Sequence, residues 1–109
     1  MNRFRIKFNR NKQWIDVTVW DVHPTTFANW GGGRWAYFEK GYDLPRRGKF
    51  GELHLVKSGI REDTVAHEMF HVLWEWIFSR NTILNRKNEE RYADFLDELV
   101  RKFYREYRK

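Results

Sequence analysis

The hydrophobic period changes once along this chain, near residue 61, and that switch limits the fold class. Before it, apolar side chains alternate with polar ones. "RFRIKF" (3–8) sets Phe4, Ile6 and Phe8 between basic residues, the period of a half-buried strand. "WIDVTVW" (14–20) alternates again, and "NRNK" (9–12) between the two has turn chemistry, so a hairpin is expected. "RWAYFE" (34–39) and "GELHLVK" (51–57) are two further strand candidates. The stretch 23–34 must be irregular around Gly31–Gly33, and "KGYDLPRRGKFG" (40–51) is punctuated by Gly and Pro and reads as a loop. After the switch, residues 61–80 contain neither Gly nor Pro. Their apolar residues, from Val65 to Phe78, cover most of a helix circumference, which predicts a helix buried on several sides. "NTILNRKN" (81–88) is a connector. Residues 89–107 form a second helix with a stripe of Tyr92, Phe95, Leu96, Leu99, Val100, Phe103 and Tyr107. The expected fold is α+β: a small antiparallel or mixed sheet of about four strands, then two helices, in one domain over 1–109.

Composition decides which chemistries are open. At 18% aromatic and 41% hydrophobic the chain has the material for a core, so disorder is excluded. It has no cysteine, which excludes disulfides and thiolate metal sites; any metal must be held by His, Asp or Glu. The basic N-terminus lacks the apolar run of a signal peptide, and no run approaches the length of a membrane span. A soluble, cytoplasmic setting is the expectation. Of the net charge of +6, residues 1–13 carry +5 and residues 101–109 carry +4, which leaves −3 for residues 14–100. The basicity belongs to the two ends. It reads as solvated termini, or as a phosphate-contacting surface if the ends converge in the fold.

"TVAHEMFHVLWEW" (64–76) carries the chemistry. On a helix, residues i and i+4 stand one above the other, so His67 and His71 can hold one metal ion from a single rigid element. Glu68 lies one position round from His67, where its carboxylate borders the ion. The pattern is His-Glu-x-x-His, the zinc-hydrolase motif. Imidazole ligands without thiols favour Zn2+. Glu68 can then take a proton from zinc-bound water and pass it to a leaving amine. Burying these ionisable groups in so apolar a helix without a metal or partners would be costly.

With that helix followed by "EERYAD" (89–94), the chain resembles the gluzincins, the clan of thermolysin-like zinc metallopeptidases. It is most similar to the minimal single-domain forms, the minigluzincins. The metzincin extension would need glycine at 74 and histidine at 77, and the chain has Trp74 and Ile77. The resemblance covers residues 51–100 or so; the N-terminal half matches only as a generic sheet. It implies a zincin-like fold and a metalloendopeptidase activity. It also implies a third metal ligand from the second, "glutamate" helix, with an acidic residue four positions on that steadies a ligand histidine. Two adjacent residues compete for the ligand position. Glu89 lies in line with the apolar stripe, whereas Glu90 alone has an acid, Asp94, at i+4. Glu90 is chosen as the ligand and Asp94 as its neighbour. The family's oxyanion-stabilising residue is not identifiable here, and His54 and Tyr92 are the candidates for that role or for substrate contact.

In a zincin-like fold, residues 51–57 are expected beside the cleft, with a free edge that takes an extended peptide by strand addition. The expected partner is a peptide or protein substrate. Self-association that occludes the cleft is a further expectation, and nucleic acid a secondary one. The alternative function is a latent or inactive zinc-binding module that acts through protein or nucleic-acid binding by its basic termini.

Overall fold

The computed structural model describes residues 1–8, 12–21, 36–40, 48–80 and 82–109. The elements are β1 (Asn2–Lys7), β2 (Gln13–Trp20), β3 (Ala36–Lys40), β4 (Gly48–Val56), α1 (Glu62–Ser79) and α2 (Glu89–Tyr107). The fold is α+β: a four-strand mixed sheet followed by two helices. The sheet order is β1-β2-β4-β3. β1 and β2 form the expected antiparallel pair, β2 runs parallel to β4, and β3 is antiparallel to β4 at the far edge.

Alternation sorts the two faces of the sheet. Ile15 and Val17 of β2 and Leu53 and Leu55 of β4 are buried to 1% exposure or less. They meet Met69 and Val72 of α1 and Phe95 and Leu99 of α2 in one core cluster. Asp16, Thr18, Glu52 and His54, the intervening residues, take the opposite face. The helices cover one face only, with α1 lying toward β3 and α2 toward β1. Trp76 of α1 packs edge-to-face on Tyr92 and Phe95 of α2, with ring centroids 6.3 and 5.1 Å away. Gln13, only 2% exposed, ties the start of β2 to the end of α1. Its side-chain oxygen accepts hydrogen bonds from Trp76 Nε1 at 3.2 Å and from the Arg80 guanidinium at 2.7 Å.

The helix ends follow from local chemistry. Glu62 and Asp63 in the first turn of α1 complement the helix dipole. The connector is held by its asparagines. The Asn85 side-chain oxygen accepts from the amides of Lys87 and Asn88, and Asn88 accepts in turn from the Asn85 amide at 2.9 Å. Among the described residues no helix is long and apolar enough to cross a membrane.

Three expectations need correction. The strand expected at 51–57 begins at Gly48, because Gly48 takes φ +95° and turns Lys49 and Phe50 into the sheet. That strand has no free edge: β4 is paired on both sides, and the edge belongs to β3. The third concerns α1. Phe70, Trp74 and Phe78 are 49%, 51% and 68% exposed, so the helix is not buried on every apolar side. The sheet covers one side of α1 and α2 a second, and no described element covers this one. The irregular stretch at 23–34 and most of the loop at 40–51 lie outside the described residues.

Candidate metal centre

The site is built on the side of α1 that looks toward β3. Thr64, Glu68, His71 and Glu75 recur at i, i+4, i+7 and i+11, which is one helical face. They border a hollow of about 590 Å³ together with His67 and residues 36–38 of β3. His67 and His71 are exposed, and Glu68 is half-buried. The four-residue spacing brings the two Nε2 atoms to 3.2 Å, with the rings edge-to-face. The ligand atoms of His67, Glu68 and His71 all lie within 4.8 Å of one another.

The donor set fits a metal ion. Two imidazole nitrogens bound at about 2.0–2.1 Å to one tetrahedral ion stand roughly 3.3 Å apart. The Nε2 separation of 3.2 Å is close to that without any rearrangement. These three residues could therefore hold a metal ion, and their backbone is already fixed by the helix. Val65, Met69, Val72 and Trp76 anchor the adjoining side of α1 in the core.

The other residues read from the sequence are placed elsewhere. Burial, and then the charge of Glu62, with a smaller share from Asp63, raises the Tyr104 phenol pKa, so the end of α2 lies near the start of α1. The Trp76 contacts put the first turns of α2 beside the last turn of α1, so the helices are antiparallel. Glu90 is then level with the end of α1, roughly 10 Å along the axis from His71 at 1.5 Å per residue. It is exposed there and does not join the converging group, and Asp94 is exposed as well. Tyr92 is 5% exposed and packed on Trp76, a core position rather than a cleft wall.

His54 lies on the far face of the sheet, away from the helices. Its Nδ1 accepts a hydrogen bond from Trp20 Nε1 at 3.2 Å, its Nε2 is 3.5 Å from Glu52, and its ring stacks on Tyr37. Burial pulls its pKa below the usual histidine value, against the opposing pull of Glu52. Neither His54 nor Tyr92 borders the hollow.

Sequence reasoning missed the walls. Thr64 and Glu75 could have been found, since they extend the polar row of Glu68 and His71 at helical spacing. The β3 wall could not, because nothing in "RWAYFE" says which strand takes the edge. No family of known proteins, no curated protein and no solved structure matches this chain.

Proposed function

We propose that the chain is a zinc-dependent peptidase of gluzincin type, with His67 and His71 as metal ligands and Glu68 as the general base. The observation that carries this reading is the 3.2 Å approach of the two Nε2 atoms beside Glu68, in a hollow walled by an edge strand. Zinc, when bound, supplies Lewis acidity toward a substrate carbonyl and toward water. Glu68 is half-buried next to the histidine pair. Its carboxylate takes a proton from the attacking water and gives it to the departing amine, as general base and then general acid. β3 has one side unpaired by any described strand. An extended peptide added to that side lies along the hollow, held by backbone hydrogen bonds that are indifferent to its sequence. The substrate class is accordingly an extended polypeptide segment.

Glu90 is our proposed third ligand, which requires the first turn of α2 to close toward His71, with Asp94 steadying a ligand histidine. Zinc affinity measured separately in Glu89→Ala and Glu90→Ala checks that assignment. Loss only in Glu89→Ala would place the ligand one residue earlier.

The test of the whole reading pairs metal analysis with cleavage of a peptide library. Wild type should hold one zinc per chain and cleave. Glu68→Gln should keep the zinc and the fold but lose roughly 10²–10⁴-fold in rate, since an amide cannot take the proton. Equal rates in the two proteins would remove Glu68 from the mechanism.

A further inference from the structure

Among the described residues six large hydrophobic side chains are exposed, and five of them, Phe70, Trp74, Phe78, Ile83 and Leu84, lie on α1 and the connector that follows it. The three aromatics recur at i, i+4 and i+8, so they form one ridge about 12 Å long at 1.5 Å per residue. Phe70 stacks on Trp74 with ring centroids 6.4 Å apart. The connector is held against the same end of the helix, because the Thr82 amide donates to the Ile77 carbonyl at 3.3 Å. Ile83 and Leu84 follow it there.

The ridge reads the same in both directions: Phe, Trp, Phe. A two-fold axis through Trp74 therefore sets Phe70 of each copy beside Phe78 of the other, with the two Trp74 rings at the centre. That is the self-complementarity an isologous interface requires. Rows at four-residue spacing are also the ridges by which helices most often interlock. The area agrees. At roughly 200 Å² per aromatic side chain, exposures of 49%, 51% and 68% leave about 340 Å² of ring surface in solvent on each copy. Two copies bring together about 680 Å². An interface at the small end of the stable range, roughly 1,200 Å², is about 57% non-polar, which is the same amount.

We propose that α1 pairs antiparallel with α1 of a second copy of this chain, through Phe70, Trp74 and Phe78. A lipid surface suits the ridge less well. Asp63 continues its line at the start of α1, at i−7 from Phe70. Beyond its other end Arg80 is turned inward onto Gln13, and Arg86 and Lys87 are offset by Glu89 and Glu90. Anionic headgroups would thus meet no excess of positive charge. An interface of this size gives a weak pair that assembles at micromolar concentrations. The pairing needs no metal and is independent of the metal centre's chemistry.

The experiment is sedimentation equilibrium of the full chain from about 5 to 500 µM, where a weak pair reveals itself by mass action. Chelator is present, because His67 and His71 stand beside the ridge and a shared metal ion would also join two copies. The mean mass should rise from 13.5 kDa toward twice that value and stop there. Trp74→Lys should weaken the pair by about 30-fold or more, the loss for a residue at the centre of an interface. Phe70→Glu and Phe78→Lys should each weaken it as well. The double variant Phe70→Glu, Phe78→Lys should recover much of that loss, because the two-fold axis sets each new acid beside the other copy's new base. Within one helix the two positions are two turns apart, too far to pair. Circular dichroism verifies the fold of each variant. A wild type that keeps its monomer mass throughout, a mass that climbs past the dimer, or a Trp74→Lys chain as assembled as wild type would each overturn the proposal. So would a double variant no better than its two parents, or binding to phosphatidylglycerol vesicles by a chain that stays monomeric.

Discussion

Gly51 stands where a methyl group has no room. A Cβ built there would meet the Glu39 carbonyl oxygen at 2.6 Å and the Phe38 ring at 2.8 Å. The first of these is backbone of the paired strand β3, which cannot move aside without breaking the ladder beside the hollow. Gly51→Ala should therefore cost about 1–3 kcal/mol, the range for forcing extra volume into a packed site. The urea midpoint reads it directly, and an unchanged midpoint would mean that β3 is not held against β4 as described. His54 offers a second residue-scale test, through pH. Its folded pKa is depressed, chiefly by burial. The unfolded chain therefore takes up the proton first as pH falls. The stability linked to neutral His54 is complete above about pH 6.5 and is lost as pH drops through the folded value. Glu52, held below the usual carboxylate range chiefly by its hydrogen bond from Lys49, adds a second loss further down, below the unfolded value of 4.5. With chelator present, the urea midpoint should fall between pH 7 and pH 5. His54→Gln should flatten that part of the curve. Parallel curves for the two proteins would show that His54 does not set the slope.

At the scale of elements, α1 divides its circumference among a core side, a polar side and an apolar side in solvent. Phe70 stacks on Trp74 at 6.4 Å, and the row continues to Phe78. Replacing an exposed aromatic away from any buried partner changes stability by only about 0.5 kcal/mol. Trp74→Lys should thus leave the melting temperature nearly unchanged while raising the concentration at which the protein aggregates. A large drop in melting temperature would mean that Trp74 is packed. This helix also shows what could be read in the sequence. Strand alternation, the helical stripe of α2 and the His-Glu-x-x-His pattern are local, so each was legible from spacing alone. α2 begins and ends where its stripe and its flanking turn residues place it, at Glu89–Tyr107. The strand order was not legible. β4 lies between β2 and β3 because of pairings across the fold, and Gly and Pro near residue 45 disguised its first three residues as loop. Nor does a helical wheel say which apolar residues find a partner. Phe70 and Val72 look alike in sequence, yet one faces solvent and the other the sheet. The histidine pair was legible for the same reason as the stripe, since one helix sets its geometry. A ligand drawn from a second helix depends on packing register, which spacing does not encode.

The whole molecule is closed by its ends. β1 is packed by the far half of α2, through Phe4 against Phe103 and Tyr107. Removing residues 104–109 takes away Tyr107, and also Tyr104, which packs edge-to-face on Phe103. Both tyrosines are only partly buried, so the truncated chain should lose about 1.5–3 kcal/mol and unfold at lower urea. The loss should appear first as amide exchange in β1. Exchange unchanged in β1 would mean that the edge strand is held by β2 alone.

That closure also orders events in time. Phe103 follows Phe4 by 99 positions along the chain. At roughly 5–20 residues per second, a ribosome takes about 5–20 s to synthesise that interval. During it the apolar face of β1 lacks α2, the helix that packs on it. An isolated hairpin is at best marginally stable in water. The nascent chain must therefore wait, with Phe4, Ile6 and Phe8 available to chaperones, until α2 leaves the exit tunnel. The histidine-bearing helix is finished earlier but gains α2 beside it only then.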